Sequence, residues 1–503
     1  MPNVVEISSG KLQGESLSGA TVFRGVPYAA PPTGKLRFRA PEPAAPWAGV
    51  REAVRFGHAA PQSAAQVVLV RRMIGVPEDR QSQDCLTLNV WTPAPDSGRR
   101  PVLVWIHGGA FTMGAGSGGL YDGRRLAKRG DVVVVTINYR LGVLGFLNHP
   151  ELRALGFESN LGLRDQIRAL EWVRENIAGF GGDPDNVTIF GESAGGMSVG
   201  TLLATPRANG LFHRAVLQSG ALHNVSTEAQ SSRVAESLLD TLGVDPTDPG
   251  ALREVPVSRL VRQQREAMLR QAVTLLPWQP SVDGELLPKT ALAALEAGEV
   301  ARVPTLVGSN RDEWRLFMLA DRAGRNLDDD GLVRRLQRQL GSVEDAQGAI
   351  EFYRGLGHGP EAGRVWERTQ GDRVFHHPAQ RAADGLAELG VPVWRYLFSW
   401  RPPVVGRFMG ACHGLELPFV FGTLRARTLR GTLGVTRGAR SLSSRMQEAW
   451  IAFARSGNPG HARLPEWSAY DTGKRRTIEF NAESRIVSAP FSAESGFWMP
   501  RLG

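Results

Sequence analysis

Five residues, Gly191-Glu192-Ser193-Ala194-Gly195, leave the backbone around position 193 little choice of shape. An apolar, β-branched run at 187–190 precedes them, and a helix-compatible stretch follows until Pro206 stops it. A chain that passes from a buried strand straight into a helix must turn within one or two residues. The serine at the apex is then strained, and side chains beside it would collide, so glycine flanks it. The turn projects the Ser193 hydroxyl clear of the sheet. It also leaves the Ala194 N–H, at the helix start, aimed at any negative charge developing nearby. The pattern is the G-x-S-x-G elbow in its required strand–turn–helix context.

A second glycine-rich segment, His107-Gly108-Gly109-Ala110-Phe111, directly follows the apolar run at 102–106. Glycine matters there because the backbone itself must come close to whatever the serine attacks. The N–H groups of Gly109, Ala110 and Ala194 are the candidate oxyanion donors.

Near-continuous apolar runs recur along the chain, at 86–91, 102–106, 132–137, 187–190, 215–217, 305–307 and 393–398. Such runs suit strands covered on both faces, as in parallel sheets flanked by helices. Leu163, Ile167, Leu170, Val173 and Ile177 recur at spacings of four and three, which predicts one face of an amphipathic helix ending near Gly181-Gly182-Asp183-Pro184. The alternation predicts an α/β class with a large, mostly parallel central sheet. The first 60 residues, with turns such as Pro31-Pro32-Thr33-Gly34, predict a small antiparallel meander. Leu-, Ala-, Arg- and Glu-rich stretches near 225–300 and 325–390 predict helical insertions. No polar linker divides the chain, so one domain over 1–503 is expected.

The formal charge of +9 does not point to nucleic acid, because most of the arginines alternate with Asp and Glu. The acid-free exception carries Arg425, Arg427, Arg430, Arg437, Arg440 and Arg445, and a solvated surface segment explains it. No run approaches the roughly 18 apolar residues of a membrane span. Residues 1–14 lack the basic and apolar regions of a secretory leader, so no membrane partner and a cytoplasmic location are expected. Cys85 and Cys412 form no C-x-x-C pair, and no metal or redox motif is found.

Taken with other segments in order, these motifs give a resemblance. The segments are Phe23-Arg24-Gly25-Val26-Pro27-Tyr28-Ala29, Asp84-Cys85-Leu86-Thr87-Leu88-Asn89-Val90, Asn138-Tyr139-Arg140-Leu141-Gly142 and Asn160-Leu161-Gly162-Leu163-Arg164-Asp165-Gln166. Over nearly its whole length the chain resembles the type-B carboxylesterases, the cholinesterase-like branch of the α/β-hydrolases, and is close in pattern to bacterial para-nitrobenzyl-type esterases. The resemblance implies an α/β-hydrolase fold and a serine carboxylesterase acting on neutral small-molecule esters without cofactor or metal. It leaves monomer and homodimer both open.

Serine needs a base, and the base needs an orienting acid, in the chain order serine, acid, histidine. Of the histidines beyond residue 313, His413 fits. It lies in Gly410-Ala411-Cys412-His413-Gly414-Leu415-Glu416, after the strand run at 393–398, in a segment that resembles the family's histidine motif. His376 and His377 precede that strand and fit worse. The family's acid position matches Glu313, in Gly308-Ser309-Asn310-Arg311-Asp312-Glu313, with Asp312 as the rival. The catalytic set implied is Ser193, Glu313 and His413.

Three departures matter. Trp314 stands where the family usually has glycine. Ala60 stands where relatives with a disulfide carry the partner of Cys85, so two free thiols are expected. Residues 61–83 hold no aromatic side chain, so the aromatic wall that binds choline in cholinesterase-like relatives is missing. Trp278, Trp314, Phe317 and Met409 could line the substrate pockets or simply pack the core. Other readings remain open: amide, carbamate or lactone cleavage by the same triad, or a noncatalytic binding module of the same fold. Gly114-Ala115-Gly116-Ser117-Gly118-Gly119 matches a dinucleotide fingerprint only formally, because it does not immediately follow a strand.

Overall fold

A computed structural model describes residues 3–63, 80–270, 276–357, 359–426, 429 and 433–501. Near the N-terminus, β1 (Val4–Ile7) and β2 (Gly10–Gln13) pair antiparallel, and β5 (Val50–Glu52) joins β2 in parallel. Between them in sequence, β3 (Glu15–Leu17) and β4 (Ala20–Pro27) belong to the main sheet.

The main sheet continues with β6 (Thr87–Thr92), β7 (Arg100–Ile106), β8 (Val133–Ile137), β9 (Gly182–Glu192) and β10 (Arg214–Gln218). It is completed by β11 (Thr305–Asn310), β12 (Val393–Phe398), β13 (Arg476–Phe480) and β14 (Arg485–Ser488). The spatial order is β14-β13-β12-β11-β10-β9-β7-β8-β6-β4-β3. From β8 to β13 all neighbours run parallel; β3, β4 and β6 at one end and β14 at the other are antiparallel. β8, β11 and β12 are buried at every residue, which is why apolar residues follow one another there, as at 133–135, 306–307 and 396–398, instead of alternating with polar ones.

Two hydrophobic cores lie against the two faces of this sheet. Alternate residues of β7 supply each: Val102, Val104 and Ile106 enter one, Leu103 and Trp105 the other. The helix α1 (Leu161–Asn176) buries Leu163, Ile167, Leu170 and Val173, the face its periodicity predicts. The chain then passes through a short 3-10 turn, Ile177–Phe180, and a left-handed Gly181. β9 begins at Gly182, five residues before the apolar run, because its first residues extend a polar strand end alongside β7.

Helix α2 (Ala194–Leu203) follows β9. Between β10 and β11 lie α3 (Glu228–Leu242) and α4 (Val257–Arg270). Between β11 and β12 lie α5 (Asp329–Leu340), α6 (Val343–Gly355), α7 (Ala362–Gly371) and α8 (His377–Glu388), with a π-helical turn, Asp372–His376, joining the last two. The long α9 (Arg437–Ser456) packs Trp450 into the second core. Among the described residues, no helix is long and apolar enough to cross a membrane.

The recurring sequence segments turn out to brace one another. Tyr28 Oη donates to the Asn138 carbonyl at 2.8 Å, and Arg140 pairs with Asp165 of α1 at 2.6 Å, both groups buried. That pairing ties the loop after β8 to α1, and the Gly142 N–H of the same loop donates to the Phe111 carbonyl of the glycine-rich loop at 2.7 Å. Cys85 and Cys412 are free and buried. Most of the loop with no aromatic residue, positions 64–79, lies outside the described residues, as do Arg427 and Arg430 of the arginine-rich stretch. Arg445 donates to the Ala482 carbonyl at 2.7 Å.

Candidate active site

The C-terminal ends of five neighbouring parallel strands, β7, β9, β10, β11 and β12, converge on one region, the usual place for a site in such sheets. β9 delivers Ser193, which has φ 57° and ψ −126°, a strained conformation for a side chain with a Cβ. The glycines beside it are required by contact. A Cβ on Gly191 would strike the Gly195 backbone, and one on Gly195 would strike the Ile106 carbonyl oxygen. The turn is pinned where the Ser193 N–H donates to the Gln218 carbonyl of β10 at 2.9 Å. Ser193 itself remains partly accessible.

β7 delivers the glycine-rich loop. Gly109, Ala110 and Phe111 all have positive φ (114°, 55° and 57°), so the chain turns sharply just after the strand. A Cβ on Gly108 would lie 3.0 Å from the Ser193 Cβ, so this loop touches the elbow. His107 packs face to face on Tyr139 at 4.5 Å between ring centres, and its carbonyl accepts from Tyr139 Oη at 2.8 Å. Burial pushes the His107 imidazole down to about 4, so it stays neutral and structural. Neither Gly109 N–H nor Ala110 N–H has an acceptor among the described residues. Ala194 is the first residue of α2, where the N–H has no intrahelical partner.

β11 and β12 deliver the other two groups. Glu313 Oε2 lies 2.7 Å from His413 Nδ1. Its other oxygen accepts from the Asn310 N–H at 2.7 Å and from the Ser219 hydroxyl at 2.6 Å. Both oxygens are therefore held, and the residue is only 1% exposed. Asp312 turns the other way. It accepts from the Ala411 N–H at 2.8 Å and lies 3.4 Å from Arg401 and 3.6 Å from Arg315, anchoring the histidine loop from outside. Geometry thus separates the expected acid from its rival: Glu313 reaches the imidazole and Asp312 does not.

His413 is buried between two rings, Phe317 at 5.1 Å and Phe375 at 4.7 Å. Its Nε2 lies 3.1 Å from Glu192 Oε1. No hydrogen bond joins Ser193 Oγ to His413 among the described residues; the imidazole lies against the residue next to the serine. Burial disfavours the charged ring, but Glu192 and Glu313 outweigh it and hold the imidazole above its ordinary range. Glu192 is itself pushed up by burial, with Glu416 and Glu313 adding to the effect and His413 opposing it.

Three residues around this centre had no role assigned from sequence: Glu192, Ser219 and Glu416. Glu416 is fully buried, accepts from Asn310 Nδ2 at 2.5 Å and from Gln218 Nε2 at 3.1 Å. Gln218 in turn accepts from Trp450 Nε1 at 3.0 Å, so a polar chain runs from α9 to the elbow. Glu192 and Glu416 stand inside the elbow and histidine motifs, and for Glu192 an acid at the end of a buried strand is the signal. Ser219 had none, since it meets Glu313 only through the pairing of β10 with β11. Trp314, the departure from the family pattern, packs on Phe317 at 4.7 Å and on Phe375 at 6.4 Å, behind the rings that face His413. Trp278 is core, at 1% exposure.

Comparison with known proteins identifies the family. The family model described as "Carboxylesterase family" matches residues 1–498. The chain belongs to the carboxylesterase family. It is 37% identical to the para-nitrobenzyl esterase of Bacillus subtilis (strain 168), covering 99% of both chains. It is also 37% identical to the phenmedipham hydrolase of Pseudarthrobacter oxydans, over 93% of this chain and 92% of the relative. Among solved structures, a thermophilic PNB esterase superposes with a TM-score of 0.88 at 37% identity, covering 99% of this chain and 100% of the other. A Geobacillus stearothermophilus carboxylesterase gives 0.87 at 40% identity, with the same coverage. This carboxylesterase has the α/β-hydrolase fold and is an enzyme acting on carboxylic esters.

Proposed function

We propose that Ser193, His413 and Glu313 hydrolyse neutral small-molecule carboxylic esters through an acyl-enzyme. The reading rests on the 2.7 Å contact between Glu313 and His413 Nδ1, made beside the elbow that presents Ser193. Glu313 fixes the imidazole with its proton on Nδ1, leaving the Nε2 lone pair as the base. Nε2 faces the Glu192–Ser193 corner, and the hydroxyl comes within its reach when an ester is bound. Ser193 Oγ attacks the carbonyl carbon as Nε2 takes its proton, and the carbonyl π pair moves onto oxygen. The N–H groups of Gly109, Ala110 and Ala194 receive that oxyanion. The C–O bond to the alcohol breaks, and the alcohol leaves with the proton from Nε2. Water then gives its proton to Nε2 and attacks the acyl carbon, and Ser193 leaves with that proton.

The phenmedipham hydrolase relative favours a second reading, carbamate cleavage by the same transfer. A panel of neutral aryl esters, choline esters, amides, carbamates and lactones tests both against wild type and Ser193→Ala. Neutral aryl and short-acyl esters turn over fastest and depend on Ser193. Preferred turnover of choline esters contradicts the substrate assignment, and the full esterase rate in Ser193→Ala contradicts the mechanism. We further read the chain as one catalytic domain in a reducing, cytoplasmic setting, a reading supported by the two free thiols.

A further inference from the structure

A cavity of about 270 Å³ lies between the segment after β10 and the π-helical turn that leads into α8. Leu222, His223, Arg373, Val374, His377 and Arg381 are among the residues lining it. Its size is just below the roughly 300–1,000 Å³ of pockets for drug-sized ligands, so it suits a small guest. Val374 precedes Phe375, the ring packed on His413, so the cavity sits one residue behind the base.

The polar groups of this cavity are unusual. Both ring nitrogens of His223, both of His377, Asn224 Oδ1 and Arg373 Nε are buried without a hydrogen-bond partner. Most buried polar atoms in folded proteins have one, and here six unpartnered atoms surround a single space. His377 is only 2% exposed. No acidic side chain lines the cavity. Arg381 is ion-paired with Glu296, whereas Arg373 has no ion pair among the described residues. Burial alone acts on the Arg373 guanidinium, lowering it without any carboxylate to offset the cost.

Both imidazoles are neutral. Burial pushes His223 down to about 3, with His377 and Arg373 adding to the effect; the Val374 backbone opposes it weakly, short of hydrogen-bond geometry. Burial and Arg381 push His377 down to about 4. Each neutral ring still offers one N–H.

We propose that this cavity is a binding site for a small oxyanion, held by the Arg373 guanidinium with N–H groups of His223 and His377. An unneutralised guanidinium in a low-dielectric wall attracts such a ligand, and its planar fork matches a carboxylate or phosphate group. Two sources share this chemistry: an organic carboxylate, such as the acid released from an ester, and an inorganic oxyanion. Only the link to the enzyme's own acid product rests on the hydrolase reading; the site itself does not.

Calorimetric titration of the full chain with benzoate, benzamide and inorganic phosphate tests the site. Crystals soaked in 4-bromobenzoate then locate the ligand by its bromine. Benzoate binds at least about tenfold more tightly than benzamide, Arg373→Met weakens benzoate by about tenfold or more, and Arg373→Lys recovers part of the loss. The bromine lies in the cavity. Phosphate weaker than benzoate supports the site with an organic acid as occupant; phosphate as tight or tighter supports it with an inorganic one. Equal binding of benzamide, or bromine found only beside Ser193, overturns the proposal. If Arg373→Met does not fold, the wild-type comparison and the bromine position still decide. None of these measurements needs turnover, so their failure leaves the hydrolase reading standing, and an active Ser193→Ala enzyme would leave this site standing.

Discussion

His413 Nε2 lies 3.1 Å from Glu192 Oε1, on the opposite side of the ring from Glu313. The proposed base is thus held between two carboxyl groups, Glu313 at Nδ1 and Glu192, beside the serine, at Nε2. Catalysis needs the imidazole neutral, so the rate rises with pH until His413 has lost its proton. Glu192 favours the imidazolium. In Glu192→Gln one favourable charge is gone, the His413 pKa falls, and the acid limb of kcat/KM moves down by about one pH unit. A pH–rate profile of both proteins checks this; a limb that stays in place or moves up contradicts it.

The separation of Asp312 from Glu313 gives a second test. Glu313→Gln keeps the volume but removes the acceptor that sets the tautomer, and kcat falls by about 10³–10⁴. Asp312→Asn disturbs the anchor to Ala411 and the arginines. It lowers the denaturation midpoint by the equivalent of about 1–3 kcal/mol while kcat stays within about tenfold. Steady-state kinetics beside denaturant titration would show the reverse pattern if Asp312 were the orienting acid.

Gly195→Ala places a methyl group against the Ile106 carbonyl oxygen, a backbone atom with no room to withdraw. The cost is about 1–3 kcal/mol or more, and the elbow cannot keep Ser193 in place, so stability and activity fall together. Wild-type stability in this variant, read from denaturant unfolding, would mean the turn is looser than these contacts require.

Cys85 and Cys412 are fully buried, and burial pushes both thiols well above their ordinary range. Alkylation of the native enzyme is therefore slow, whereas the denatured chain without reductant takes up two equivalents, as intact mass will show. A denatured chain that takes up none would reveal a bond between them.

Sequence conveyed most about elements whose environment is uniform. The runs at 102–106, 132–137 and 393–398 declare themselves because β7, β8 and β12 are covered on both faces. Edge strands such as β5, exposed at every residue, and the half-buried β14 carry no such signal. Ser193 was legible because the elbow is built from chain neighbours that must be glycine. Glu313 and His413 were legible only by motif order, which favours Glu313 over Asp312; the opposite directions of the two side chains after β11 have no sequence signal. Ser219 reaches Glu313 across the pairing of β10 with β11, and Glu416 reaches Asn310 and Gln218 from the loop after β12; contacts between such distant segments have no local pattern.

The most direct test of the account is stoichiometric labelling with a fluorophosphonate, followed by peptide mapping. One phosphonyl group per chain, on Ser193, is predicted. It forms much more slowly in His413→Ala, where the base is missing, and not at all in Ser193→Ala. Labelling at another residue, or an unlabelled chain that still hydrolyses esters at the full rate, would contradict it.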